Sequence, residues 1–247
     1  KNPPATDYRR KLADLYRREG QSARAIVHYE HLVSTAADTA LAELFAMLVG
    51  LHQELKQTEQ ALQWSRRLAD RGEGGTGQLE SIVDMQLETG DIKGAYDSLL
   101  ELARVDSQNA YSYYNRIVAT AGESNDEPMR IKGLKGMVEA DPKDLGSIAT
   151  LVQWHQGRGE AAAAKTWLER GLKIDPEDGH LLLLKGDELV REGDEEGAIA
   201  TFEKAKANPT WEKVAQQRIW QLRPPETEEE KLKRQFFGGG EAPDDQN

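Results

Sequence analysis

From Gly179 to Pro209, apolar and small residues recur at helical spacing in two blocks. Leu182, Gly186 and Leu189 share one stripe, Gly193-Asp194 interrupts it, and Ala198, Phe202 and Ala205 share a second. The pattern predicts helix, tight turn, helix. Gly193 is expected to end the first helix in the left-handed region, and the Asp194 carboxylate to accept N–H bonds from the first turn of the second. Two amphipathic helices of this length leave their apolar faces uncovered. The unit therefore needs copies of itself alongside.

Those copies are found by sliding the unit backwards. The small residue of the second helix falls at Ala25, Ala61, Ala95, Arg130, Ala164 and Ala198, at intervals of 36, 34, 35, 34 and 34 residues. The turn between paired helices wants Gly or Asn, and its position holds Gly20, Gly90, Asn125, Gly159 and Gly193, with Lys56 as the departure. A large slot in the second helix holds Tyr29, Leu99, Leu134, Leu168 and Phe202, while the second unit places Ser65 there beside Trp64. Pro142, Pro176 and Pro209 close three units. Arg130 marks the weakest copy, and its extra residue of spacing predicts a loop insertion around Ser124–Pro128.

A period near 34 residues, with this turn and these slots from about Thr6 to Pro209, resembles the tetratricopeptide repeat (TPR) family. Of that family's first-helix signature only Tyr16 and Gly186 match, so no subfamily is assigned. The resemblance implies an all-α, right-handed solenoid of about six helix pairs. After residues 1–5 as a linker, the array is expected over 6–209 and a capping helix over 210–222. That helix, from Trp211 to Leu222, carries Val214, Ile219 and Leu222 on its apolar side and turns Gln216, Gln217 and Arg218 to water. Pro224-Pro225 then stops the solenoid. A mobile acidic tail over 223–247 follows, with a helical turn or two from Thr227 to Phe236.

Composition narrows the function. With 32 Lys+Arg against 43 Asp+Glu the net charge is −11, which disfavours nucleic acid or an anionic membrane as the main partner. Cysteine is absent, so thiolate and disulfide chemistry are excluded. No apolar run reaches the ~18 residues of a membrane span. A soluble, cytoplasmic chain is expected ahead of a membrane-tethered or periplasmic segment. The opening Lys-Asn-Pro-Pro suggests a piece of something longer.

No constellation calls for catalysis. There is no HExxH, P-loop or nucleophile elbow, and the Gly72–Gly77 stretch has neither a following Lys-Ser/Thr nor a preceding strand, so it reads as a linker. His52 and His155 fall in the slot where the TPR pattern places tyrosine, and packing is expected of them. His28 and His31 share a helix face but have no third ligand at helical spacing, so neither a metal nor a cofactor is expected. The five tryptophans, Trp64, Trp154, Trp167, Trp211 and Trp220, are read as inter-helix packing.

The resemblance implies that first helices line a concave groove. Off their apolar stripes lie Arg10, Asp14 and Arg17 in the first unit, Glu43, Ala46, Gly50 and Gln53 in the second, and Glu80, Asp84 and Leu87 in the third. Later units offer Asn115 and Ala119, then Ala149, Gln153 and Gln156, then Leu183, Asp187 and Val190. This face is acidic to polar, with room for a guest backbone at its small residues. It suits a protein or peptide partner with basic or amide-rich side chains. The clamp of Lys, Asn and Lys/Arg by which some TPR domains hold chaperone tails is matched by no three successive units. The expected function is a non-catalytic scaffold or adaptor that assembles a complex. Two other readings stand beside it: self-assembly through the groove and a Phe236-Phe237 tail motif, and a regulatory arm of a longer enzyme.

Overall fold

The structure is a computed structural model, and it describes residues 5–237. Among these, every regular element is a helix. The helices are α1 (Ala5–Arg18), α2 (Ser22–Val33), α3 (Asp38–Glu54), α4 (Thr58–Ala69), α5 (Gly75–Glu88), α6 (Ile92–Val105), α7 (Ala110–Glu123) and α8 (Glu127–Ala140) in a first compact unit that runs to Pro142. A second unit, from Lys143, holds α9 (Leu145–Gly157), α10 (Ala161–Ile174), α11 (Gly179–Glu192), α12 (Glu195–Ala205), α13 (Glu212–Leu222) and α14 (Glu228–Phe237). Consecutive odd and even helices pair, four pairs stacking in the first unit and two in the second, where α13 packs on α12, so each unit is an all-α stack of helix pairs.

The turns set the register. All six positions between paired helices lie in the left-handed region: Gly20 at φ 70°, Lys56 at 55°, Gly90 at 77°, Asn125 at 55°, Gly159 at 71° and Gly193 at 83°. The pair α3–α4 therefore forces on a lysine the conformation that its neighbours give to glycine or asparagine. In three pairs the next residue then caps the second helix: Asp91 accepts from the Gly94 N–H at 3.0 Å, Asp126 from Met129 at 3.0 Å and Asp194 from Gly197 at 2.9 Å. Asp144 and Asp178 do the same for first helices, accepting from Ser147 and Leu181. In the pairs that carry histidine near the end of the first helix, the residue before the second helix bonds sideways. His52 Nδ1 lies 2.8 Å from Gln57 and His155 Nδ1 lies 2.7 Å from Glu160.

The cores follow the repeat. Ala25, Ala61, Ala95, Ala164 and Ala198 are buried, as are the slot residues Tyr29, Ser65, Leu99, Leu134, Leu168 and Phe202. Their first-helix counterparts vary inversely in size. Ala13 shares a core with Tyr29, Val83 with Leu99, and Gly186 is so close to Phe202 that a Cβ there would meet the ring at 2.2 Å. The expected insertion at Ser124–Pro128 is absent. Residues 124–126 join α7 to α8 with three residues, as residues 89–91 join α5 to α6. What changes is the contact: Gly133 abuts Val118 and Ile117, and a Cβ at Gly136 would meet the Tyr114 ring at 2.3 Å. Gly133 and Gly136, about one and two turns further along α8, supply the close approach that Arg130 denies.

The Gly72–Gly77 stretch ends the link from α4, residues 70–74, and opens α5 at Gly75, with Gly72, Gly74 and Gly75 left-handed. A cavity of about 550 Å³ beside it is lined by Asp70, Glu73 and Glu101 against one cation, Arg66, which already pairs with Asp91 at 3.0 Å. That charge balance opposes an anion. Among the described residues no helix is long and apolar enough to cross a membrane.

Candidate functional site

The first-helix faces are cross-linked between neighbouring pairs. In the first unit Arg10 of α1 pairs with Glu43 of α3, and Arg17 Nη1 donates to the Met47 sulfur at 3.3 Å. The Tyr113 hydroxyl of α7 lies 3.0 Å from Glu80 of α5 and 3.1 Å from Asp106, and Arg116 of α7 donates to Asp84 of α5 at 2.7 Å. In the second unit the Gln153 amide lies 3.0 Å from His180 Nε2, and the Gln156 amide donates to Glu188 at 3.0 Å and to the Leu184 carbonyl at 3.1 Å. Arg218 of α13 forms an ion pair with Asp187 of α11 at 3.0 Å.

Most of the expected groove residues thus have partners within the protein. Asp14 is turned inward as well, accepting from the Tyr29 hydroxyl of its own pair. Burial first, and then Asp14, push the Tyr29 phenol up to about 12. Burial likewise raises Tyr113, aided by Glu80 and Asp106, so both tyrosines stay protonated donors. Gln53, Asn115 and Ala119 are exposed, Ala46 is exposed, and a Cβ at Gly50 would meet open space. Ala149 and Leu183 are buried, which corrects their assignment to the groove. The first helices α3, α5 and α7 are each covered by their own partner and by the preceding second helix, so only a narrow stripe of each faces outward.

Sequence reasoning missed Arg116 and Arg218, and the second was expected to face water. A signal existed: Arg10 to Glu43, Glu80 to Tyr113, Asp84 to Arg116 and Asp187 to Arg218 are separated by 33, 33, 32 and 31 residues, close to one repeat. Asp84 and Asp187 occupy the same register position, each eleven residues before the slot held by Ala95 and Ala198.

In the second unit a recess of about 110 Å³ lies between Gln153, His180, Asp187, Trp211, Val214 and Arg218. His180 stacks on Trp211 with centroids 4.4 Å apart. Burial holds its pKa below the usual histidine value, against the opposing charge of Asp178. Of the other histidines, His28 stacks on Tyr16, His52 and His155 are buried, and His31 is exposed. Among the described residues no three His, Asp or Glu side chains converge on a metal-sized site. Trp220 corrects the packing assignment, being 51% exposed. Val214, 39% exposed, also faces outward, while Ala215 and Ile219 face the core. Phe236 is 71% exposed on α14, and the side chain of Phe237 lies outside the described residues, as do residues 1–4 and 238–247.

The helix pairs are tetratricopeptide-like. That statement rests on the chain's own period, turns and slots. No family profile and no curated protein sequence matches the chain. Several solved structures are similar at low identity. A TPR-containing protein from Cytophaga hutchinsonii, its C-terminal part, is 14% identical over 88% of this chain and 96% of its own, with a TM-score of 0.42. A TPR protein from Parabacteroides merdae is 18% identical over 90% and 85%, at 0.38. MamA from Desulfovibrio magneticus is 18% identical over 68% and 94%, also at 0.38.

Proposed function

We propose that the protein is a non-catalytic scaffold that holds a protein or peptide partner along its first-helix faces. The observation that carries this reading is the pairing of a pre-tied polar network with exposed amides and small residues. Gln53 and Asn115 present amides, and Ala46, Gly50 and Ala119 keep the surface low beside them. Because the neighbouring helices are already bonded to each other, a guest orders little of the protein on binding. The acids are not free charges. Glu43, Asp84 and Asp187 share their carboxylates with arginines, so a basic guest side chain meets a screened, partly neutralised surface, and amide hydrogen bonding sets the register. An extended peptide rich in amide and basic side chains fits best.

The test is capture of partners by the intact chain beside a Gly50→Arg, Asn115→Ala variant, followed by binding of the identified partner to both purified proteins. Both positions are accessible, so thermal unfolding is expected to be unchanged. Loss of binding in the variant supports the reading. Equal binding by both proteins removes the first-helix face from consideration.

A further inference from the structure

The C-terminal helices continue the repeat register further than six pairs. Asp187 with Arg218 repeats the rung made by Asp84 with Arg116, which makes α13 the first helix of a seventh unit. Counting the period of 34 from Ala198 and Phe202 then places Leu232 in the small slot and Phe236 in the large slot of α14. Both slot residues of α12 are fully buried, whereas Leu232 is 52% and Phe236 71% exposed. Two features keep α14 from closing on α13. Pro224-Pro225 ends α13 early and replaces the three-residue left-handed turn. Trp220 stands where Gly186 makes room for Phe202, so the same packing would drive Phe236 into an indole.

The complementary surface is on α1. Tyr8, Leu12 and Leu15 correspond in register to Leu44, Leu48 and Leu51 of α3, and those three are buried in one core with the second helix before them, α2. Ile82 and Met85 of α5 share a core with α4, and Tyr113 and Ile117 of α7 share one with α6, in the same way. On α1 the three side chains are 56%, 38% and 49% exposed. We propose that α14 of one copy docks on α1 of a second copy, completing a repeat interface head to tail.

The charges agree with that orientation. Within the fold, the start of a second helix lies beside the end of the next first helix, as the Ser22 hydroxyl donating to Glu54 at 2.7 Å records. In the same arrangement Glu228, Glu229 and Glu230 at the start of α14 reach Arg17 and Arg18 at the end of α1. The helix ends add to this, acid at an N-terminus and base at a C-terminus. The two surfaces differ, so the contact is heterologous and adds copies in sequence.

Light scattering and sedimentation of the full chain over a concentration series test the proposal. The intact protein should grow past the dimer as concentration rises and shrink again with added salt. A tail variant, Leu232→Asp with Phe236→Asp, and a head variant, Leu12→Asp with Leu15→Asp, should each stay monomeric with unchanged helicity, since all four side chains are already exposed by more than a third. An equimolar mixture of the two should form a dimer and stop, because only one competent junction remains. A monomeric intact protein overturns the proposal. So does assembly that survives either variant, or a mixture that stays monomeric. If only the tail variant loses assembly, the tail docks on a surface other than α1.

Discussion

The pairs α7–α8 and α11–α12 reach the same close approach by opposite assignments. In α11–α12 the glycine is on the first helix and the aromatic on the second, Gly186 against Phe202. In α7–α8 the aromatic is on the first helix and the glycine on the second, Tyr114 against Gly136. The repeat thus holds the distance between helices and leaves free which helix gives way. A pair can lose its small residue to Arg130 and keep its geometry, provided that volume is removed further along the helix.

Filling the gap between α7 and α8 should have the largest effect. Gly136→Val is expected to cost about 3 kcal/mol, at the upper end for overpacking, and Tyr114→Ala in the same chain should recover part of that loss. Denaturant unfolding of the two single variants and the double measures the coupling. If the losses simply add, Tyr114 does not occupy the space at Gly136. On the other pair, Ala198→Leu should cost about 1–3 kcal/mol, because Ala198 is fully buried at the slot that Arg130 occupies with partial exposure. An unchanged melting temperature would show that the register assigned to α12 is wrong.

Smaller effects distinguish the turns and the two regions. Lys56→Gly should stabilise the first unit by about 1 kcal/mol, since it relieves a left-handed lysine. Asn125→Gly should do less, asparagine being the more tolerant residue there. The smallest effect is of pH. His180 has a folded pKa below 6.5, so the folded state resists protonation that the unfolded chain accepts. Stability around α11 should be complete above the unfolded value and decline as pH falls below it, before carboxylates titrate near about pH 4. Hydrogen exchange should report the decline in α11 and α13 and leave α7 and α8 unchanged; His180→Gln should abolish it.

Much of this architecture was legible because period and turn are local. A left-handed position two residues before a helix is visible in one stretch of sequence, and even Lys56 could be placed by its neighbours in the count. The face was harder to read. Whether Asp84 offers a charge depends on Arg116, a residue one full repeat away on another helix, and hydrophobic periodicity carries no information on such pairs. Ala149 and Leu183 were misplaced for a related reason: a first helix has two covered sides, and a single stripe of apolar residues marks only one. Gly133 and Gly136 escaped because the small residue was sought at a single slot.

The rungs between first helices also bear on how many repeats the chain can carry. Suppose α3 and α4 were excised together. Glu88 would arrive where Glu54 had been, so Ser22 would still find a carboxylate and the backbone could close. Arg10, however, would face Gly77 in place of Glu43, and Arg17 would face Ser81 in place of Met47. Each pair is addressed to the one that follows it, so the array is a sentence with a fixed word order, and shortening or shuffling it would leave a protein that folds but whose surface no longer reads the same.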